Sequence, residues 1–329
     1  MDREPPAAEA PEVERVSTAT SALARGTQSL VRWFDSWAAD ERDGQDPRAI
    51  DWFRVSPFVA IHVACFAVLL VGWSPFAVAF AVCFYVVRMF AITAFYHRYF
   101  SHRSFCTSRV MQFCFALLGA TAAQRGPLWW AAHHRAHHRH SDEDADVHSP
   151  ERQGFWYSHV GWILAQGNFR TRVELVPDLA RYPELRFLDR FDSLVPLATM
   201  SALFALGVLL ERFAPGLGTN GPQLFVWGFA ISTVALYHLT FSINSLAHRV
   251  GSRRFETPDQ SRNNWLLALF TLGEGWHNNH HRYQASVRQG FRWWEFDPSY
   301  YVLRTAALVG LVWDLRPVPE RILREGASR

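Results

Sequence analysis

The feature that most constrains this chain is a long uncharged run, which extends from Pro57 to Tyr96 with Arg88 as its single charged residue. A turn signal at Gly72–Pro75 interrupts the run near its middle. A helix rises about 1.5 Å per residue and a bilayer's hydrocarbon core is about 30 Å thick, so the run accommodates two membrane helices joined by a tight turn. We predict spans at residues 57–71 and 75–96, the first slightly short for a full crossing.

A second apolar pair follows at residues 194–210 and 224–246, joined by a Gly- and Pro-rich connection. The polar segment between the two pairs, residues 98–190, holds twelve Arg, whereas the two hairpin connections hold only Arg212. Since cytoplasmic loops carry the excess of basic residues, this distribution places the middle segment and both termini in the cytoplasm. The sequence therefore predicts an all-α integral membrane protein, with four transmembrane helices in two hairpins and a cytoplasmic helical cap.

The two ends of the chain differ in composition from the rest. Residues 1–27 are acidic, rich in Pro and Ala, and lack the apolar core of a signal peptide, so we predict a disordered tail there. We place one membrane domain at residues 28–315 and a C-terminal tail at residues 316–329. Shorter apolar stretches within the domain, such as residues 110–123, predict helices that lie at the interface or beneath the membrane bundle.

Composition excludes several classes of function. All 33 basic residues are Arg, they are spread over the loops, and the formal charge is only +3, so the chain carries no footprint for a nucleic-acid partner. The four Cys lack CxxC spacing, which argues against a zinc knuckle or an iron–sulfur cluster. No GxGxxG pattern opens a dinucleotide-binding unit.

Nine of the fifteen histidines stand in four clusters. Two clusters have the pattern HxxHH, in which the imidazoles at i, i+3 and i+4 share one face of a helix. The predicted topology brings the ends of spans two and four to the same membrane face as both HxxHH segments. The clusters are HRYFSHRSF with His97 and His102, HRAHH with His134, His137 and His138, INSLAH with Asn244 and His248, and GEGWHNNHH with His277, His280 and His281.

This set of side chains predicts two metal ions. Imidazole suits iron, zinc, copper and nickel, and nine nitrogens plus a water held by Asn244 would fill two sites of about five ligands each. A structural zinc site would stop at four ligands, and a site that opens onto an apolar interior suits oxygen chemistry on a lipid, so we favour iron. Ligating imidazoles need partners that orient the other ring nitrogen. We expect supporting roles for His133, His140, His148 and His159, and the candidate carboxylate partners are Asp142, Asp144, Asp146 and Glu274.

At these clusters the chain resembles the membrane-bound acyl-CoA desaturases, the stearoyl-CoA type with its bacterial relatives. The resemblance rests on the three histidine boxes, Trp129-Trp130, the FWYSHVGW stretch and NSLAH, in order over residues 50–300. It implies a four-span bundle under a cytoplasmic cap, with the nine histidines as ligands of a di-iron centre and Asn244 holding a water on one iron. His133 stands where many animal members carry Asp, and this departure leaves the acyl carrier open between coenzyme A and a lipid.

The resemblance also implies an activity. The expected reaction uses O₂ to introduce a cis double bond, between carbons nine and ten, into a long-chain fatty acyl substrate in the membrane. No catalytic side chain beyond the di-iron centre is expected. The iron must be reduced from outside, because the sequence contains no haem module, flavin-binding motif or cysteine cluster. An external electron donor such as a ferredoxin or a flavin reductase is therefore implied.

Two other functions stay open from the residues alone. A histidine-rich membrane hydroxylase would use the same metal ligands but return oxygen to the substrate. A non-catalytic metal-binding or transport protein would need a path of polar residues through the spans. That path is poorly supported, because the predicted spans contain few basic or acidic side chains. We find Arg88, His62 and His238 there.

Overall fold

The computed structural model describes Val31, residues 33–38 and residues 46–326, and the fold is mostly helical. The predicted disordered tail at residues 1–27 lies outside the described residues. One small departure from the all-α prediction is a two-stranded antiparallel sheet, formed by β1 (Cys106–Thr107) and β2 (Val312–Trp313).

The structure contains three long helices and a set of shorter helices before, between and after them. In chain order the main helices are α1 (Trp52–Cys65), α2 (Val68–Val71), α3 (Pro75–Ser101), α4 (Arg109–Ala120), α5 (Pro127–His140), α6 (Pro183–Arg190), α7 (Leu194–Phe213), α8 (Gly221–His248), α9 (Trp265–Phe270), α10 (His277–Arg282), α11 (Pro298–Leu308) and α12 (Glu320–Glu325). Shorter helical turns lie at Ser36–Ala38, Pro150–Gln153, Tyr157–Gly161, Trp162–Leu164, Gln166–Asn168, Val173–Leu175, Pro177–Ala180 and Pro215–Leu217.

Three helices, α3, α7 and α8, are long and apolar enough to cross a membrane. They contain the predicted spans at residues 75–96, 194–210 and 224–246. The stretch Ser56–Val71, which contains the predicted first span, is apolar but shorter. These helices support a membrane protein, and the count of four spans stays a prediction.

The turn between α2 and α3 follows the sequence signal closely. Gly72 ends α2 with φ 65°, a left-handed conformation that glycine adopts without steric cost. Ser74 then caps α3 by accepting a hydrogen bond from the Ala77 amide, and Pro75 occupies the first helical turn. From Ala91 to Ser101 the helix widens into π geometry; this wide segment carries His97, and His102 caps its end.

The main hydrophobic core joins the end of α3 to the shorter helices. The rings of Phe95 and Phe115 stack at 3.7 Å between centroids and bring α4 against α3. A second, smaller cluster packs Ile322 of α12 against Phe255 and Phe291. The stretch after residue 315 therefore includes a helix that packs on the rest of the chain.

Gly119 permits the close contact between α3 and α4. A Cβ atom at this position would overlap the fully buried ring of Tyr96. We expect Gly119→Val to destabilise the protein by about 1–3 kcal/mol, since overpacking of a filled core costs about that much. Thermal unfolding in detergent would measure the effect. Leu117→Val, on the exposed face of the same helix, is the matched control, and an equal loss in both variants would contradict the explanation.

Candidate metal centre

The structure gathers all nine predicted histidines into two adjacent groups. The first group contains five residues from α3, its C-terminal end, α5 and α10, and the second contains four residues from α5, α8 and α10. Within each group the candidate ligand atoms all lie within 4.8 Å of one another. The first group is His97, His102, His134, His138 and His280, and the second group is His137, His248, His277 and His281.

In the first group the Nε2 atoms face a common point. His102 Nε2 lies 2.8 Å from His134 Nε2, and His97 Nε2 lies 3.0 Å from His280 Nε2. Two imidazole nitrogens bound at right angles to a metal about 2.1 Å away are about 3.0 Å apart. The observed spacing therefore fits five nitrogens around one metal ion.

The second group has a comparable geometry. His248 Nε2 lies 3.1 Å from His277 Nε2. His281 Nε2 is buried without a hydrogen-bond partner among the described residues. An unpaired buried nitrogen is costly, and a metal ion would satisfy it. Asn244 lines two small cavities beside the groups, each of about 40 Å³, together with His134.

Buried carboxylates orient four of these imidazoles. In each pair the Nδ1–H donates to a carboxylate oxygen, so the lone pair of Nε2 stays available for a metal. Three of the four carboxylates belong to the set that the sequence suggested. The pairs are Glu274–His97 at 2.5 Å, Asp146–His137 at 2.9 Å, Asp142–His248 at 2.9 Å and Asp259–His281 at 2.8 Å.

No sequence pattern points to Asp259, and Asp144, a candidate partner from the sequence, faces solvent. Asp259 lies 22 residues before its partner His281, in a polar loop with no helical spacing to reveal it. The Asp144 side chain is 93% exposed and lies 3.5 Å from the Arg152 guanidinium. Sequence spacing identified the acidic run but could not say which of its members face the histidines.

Burial favours the neutral, metal-binding form of three imidazoles of the first group. It lowers the pKa of His134, His138 and His280 well below the usual histidine value, and neighbouring histidines add to the effect. Burial also opposes charge on Asp142, but the hydrogen bond from His248 prevails and lowers the pKa of Asp142 to about 2. Neutral imidazoles beside ionised carboxylates are the state required for metal binding near neutral pH.

Other histidines lie around the two groups. His148 stacks on His137 at 4.4 Å between ring centroids and belongs to a third close set with His137 and Asp146. His133 lies outside both groups and contacts the Trp129 carbonyl through Nδ1 at 3.0 Å. His159 contacts Ser245 Oγ at 2.9 Å and His238 at 3.1 Å.

A series of cavities leads from the membrane helices to the histidines. One of them has a volume of about 410 Å³ and is mostly apolar, with walls from α1, α7 and α8. It shares Gln124, Ile163 and Phe241 with one of the small cavities. That cavity in turn shares His134 and Asn244 with the other small cavity. The arrangement can hold an apolar chain whose inner part lies next to the metal centre.

The orienting role of Asp259 is testable. Asp259→Asn replaces the acceptor for the His281 Nδ1–H with a neutral side chain, and loss of such a partner typically lowers metal affinity by about 10–100-fold. Competition between the purified protein and a chelator, read as bound iron by elemental analysis, would measure the change. Asp144→Asn is the matched control because Asp144 is exposed, and equal iron retention in the two variants would refute the orienting role.

Comparison with known proteins identifies the family of this chain. The profile of the family described as fatty acid desaturase matches residues 42–313. An acyl-CoA C20 Delta5-desaturase of Anemone leveillei is 33% identical over 302 residues, which cover 91% of this chain and 88% of that protein.

Cyanobacterial proteins are equally similar. An sn-1 stearoyl-lipid 9-desaturase of Anabaena variabilis is 35% identical over 270 residues, covering 81% of this chain and 94% of that protein. An sn-1 stearoyl-lipid 9-desaturase of Synechocystis sp. is 36% identical over 300 residues, covering 91% of this chain and 90% of that protein. The protein therefore belongs to the fatty acid desaturase family, whose named members are oxidoreductases.

Proposed function

We propose that this protein uses O₂ to introduce a cis double bond into a saturated fatty acyl chain at a histidine-ligated di-iron centre. The observation that carries the proposal is the convergence of two imidazole groups at the inner end of a series of apolar cavities. A metal store needs no such cavity, and a simple lipid-binding protein needs no such groups. Family membership supports the same function.

The ligand assignment follows the two groups. The five imidazoles around His97 would hold one iron. The four imidazoles around His248 would hold the other, with a water on Asn244 as a further ligand. This division explains why nine histidines are present, since each iron then has about five ligands.

The iron pair, when bound, would supply the oxygen activation that removal of hydrogen from an unactivated methylene requires. No side-chain base has an accessible pKa for that step. The protein's own residues hold the centre and position the substrate. Asp142, Asp146, Asp259 and Glu274 fix the imidazole orientations, and the buried rings around the centre exclude water.

The cavity series would bind the acyl chain and thereby select the carbons that react. Binding holds one pair of carbons beside the centre, so hydrogen removal takes place within a single complex and does not depend on a random encounter. A double bond between carbons nine and ten is supported by the cyanobacterial relatives named as 9-desaturases. Other relatives are named for position five or seven, and both coenzyme A and lipid appear as carriers in their names.

The membrane arrangement and the electron supply belong to the same proposal. We place a fourth span at α1 and α2, and we place both termini and the metal centre in the cytoplasm because the Arg-rich segment lies on that side.

Electrons would arrive from an external donor such as a ferredoxin or a flavin reductase, since the chain carries no redox motif of its own beyond the histidines.

The activity is testable by the fatty acids that cells make. Cells that express the protein, with iron and an electron donor supplied, should gain a cis-monounsaturated product that gas chromatography and mass spectrometry detect. His137→Ala should abolish the product because it removes a buried member of the second group. His140→Ala is the matched control, since His140 lies on the same helix outside both groups and contacts Glu143 at 3.2 Å.

Each outcome of this experiment discriminates between functions. Hydroxylated products would replace the proposal with a hydroxylase. An unchanged fatty-acid profile in cells whose protein contains iron and receives electrons would overturn lipid oxidation altogether.

The substrate route generates a second prediction. Ile163 lines the junction between the cavity of about 410 Å³ and a small one, so Ile163→Trp should close the route and lower turnover at least tenfold while bound iron stays at the wild-type level. Leu209→Trp, at an exposed position on α7, is the control. If a structure of the Ile163→Trp protein shows the junction filled and its turnover is nevertheless unchanged, the substrate does not reach the centre by this route.

A further inference from the structure

We propose that the substrate is a membrane lipid with two acyl chains. One chain passes to the metal centre, and the second lies in the cavity of about 410 Å³ between α1 and α7, here called the slot. The inference rests on the proposed function and deepens it, because it names the carrier that is open between coenzyme A and a lipid.

The slot has one wall on α1 and one on α7. Pro57, Ala60 and Ala64 of α1 line the first wall, and Pro196 and Met200 of α7 line the second. These residues recur at intervals of three and four, so on each helix they share one face. Pro57 and Ala60 are exposed, so the slot opens to the outside of the protein along α1. Because α7 is long and apolar enough to cross a membrane, this opening faces lipid acyl chains.

The slot also has a back and a roof. Phe225 and Phe229 of α8 form the back, and residues 123–125 with Phe169 form the roof. In the roof, the Arg125 guanidinium lies 3.2 Å from Asp192, which stands two residues before the start of α7 at Leu194. The roof therefore lies at the charged boundary of the bilayer, and the rest of the slot lies below it.

The slot extends far from this boundary. Arg54 lies at its upper end, with the guanidinium 4.4 Å from the centroid of the Phe169 ring. Ala64 also lines the slot and follows Arg54 by ten residues of the same helix, about 15 Å at about 1.5 Å per residue. This is half of a hydrocarbon core of about 30 Å. The slot is thus as deep as the acyl layer of one leaflet.

The route to the metal centre leaves the slot near the roof. Gln124, Ile163 and Phe241 line both the slot and the next cavity. Gln124 belongs to the roof, and its side chain donates to Thr240 Oγ1 near the end of α8 at 3.0 Å. A chain that enters at the boundary and turns to the centre therefore does not use the lower slot. The second chain of a lipid would occupy it, since both chains of a lipid start at the boundary.

The charges at the roof fit a lipid better than coenzyme A. Coenzyme A carries several phosphate charges, and arginine side chains recognise phosphate through bidentate contacts. Here Arg125 is ion-paired with Asp192 and donates to the Phe169 carbonyl at 2.6 Å. The Arg54 charge also attracts the Asp192 carboxylate. One carboxylate thus offsets part of the charge of two arginines, which suits the weakly charged ester region of a lipid.

Ala64→Trp tests the site for the second chain. The indole would fill the lower slot, so turnover of a phosphatidylglycerol with one stearoyl and one oleoyl chain should fall at least tenfold in detergent micelles supplied with iron and an electron donor. Turnover of lysophosphatidylglycerol with a single stearoyl chain should stay within twofold of the wild-type value, because one chain does not need the lower slot. Val63→Trp, at an exposed position of α1 outside the slot lining, is the matched control.

Bound lipid gives a second measurement that needs no turnover. Mass spectrometry of the intact wild-type protein should detect bound diacyl phosphatidylglycerol, and Ala64→Trp should lower the bound amount at least tenfold. An equal loss of turnover with both lipids, or an unchanged amount of bound diacyl lipid, would overturn the inference.

The proposed function can fail separately from the slot. A wild-type protein that desaturates stearoyl-CoA but neither phosphatidylglycerol would keep the proposed function and overturn the lipid carrier. A protein that forms no double bond with any of the three substrates, yet loses diacyl lipid on Ala64→Trp, would overturn the proposed function and keep the slot as a lipid site.

Discussion

The hydrogen bonds between buried carboxylates and imidazoles determine the geometry of the metal centre. Each bond from Nδ1–H fixes one tautomer and one ring orientation, and thereby aims Nε2 at the neighbouring histidines. The carboxylates lie in the loops around residues 142–146 and 259 and just before α10 at Glu274. The loops between the membrane helices and the boxes are therefore as important for the centre as the helices that carry the histidines.

One of these carboxylates also ties the centre to the rest of the fold. Glu274 accepts from His97 and lies 3.3 Å from the Arg98 guanidinium, which in turn lies 3.0 Å from Asp297. All four side chains are buried. Removal of charges from water is costly, so such a network adds little net stability, but breaking it would leave an unpaired buried charge. Its main effect is to hold the end of α3, α10 and the start of α11 in one arrangement.

Sequence patterns predicted which histidines meet, but not how they divide. HxxHH spacing places three imidazoles on one helix face, so the convergence followed from the spacing and the order of spans. In α5, however, His134 and His138 join the first group and His137 the second, while in α10 only His280 joins the first. The division depends on where the facing helices lie, as does the partner Asp259, and sequence spacing carries no information on either.

The division of each box has a consequence for assembly. Since α5 and α10 both supply residues to both groups, each group needs these two helices side by side: the first group forms with them against the end of α3, and the second with them against α8. A metal ion bound in the first group would hold α5, α10 and the end of α3 in place and so preorganise His137, His277 and His281 for the second. Binding at the two groups is therefore coupled through shared helices, and filling one site should raise the affinity of the other without any direct contact between the ions.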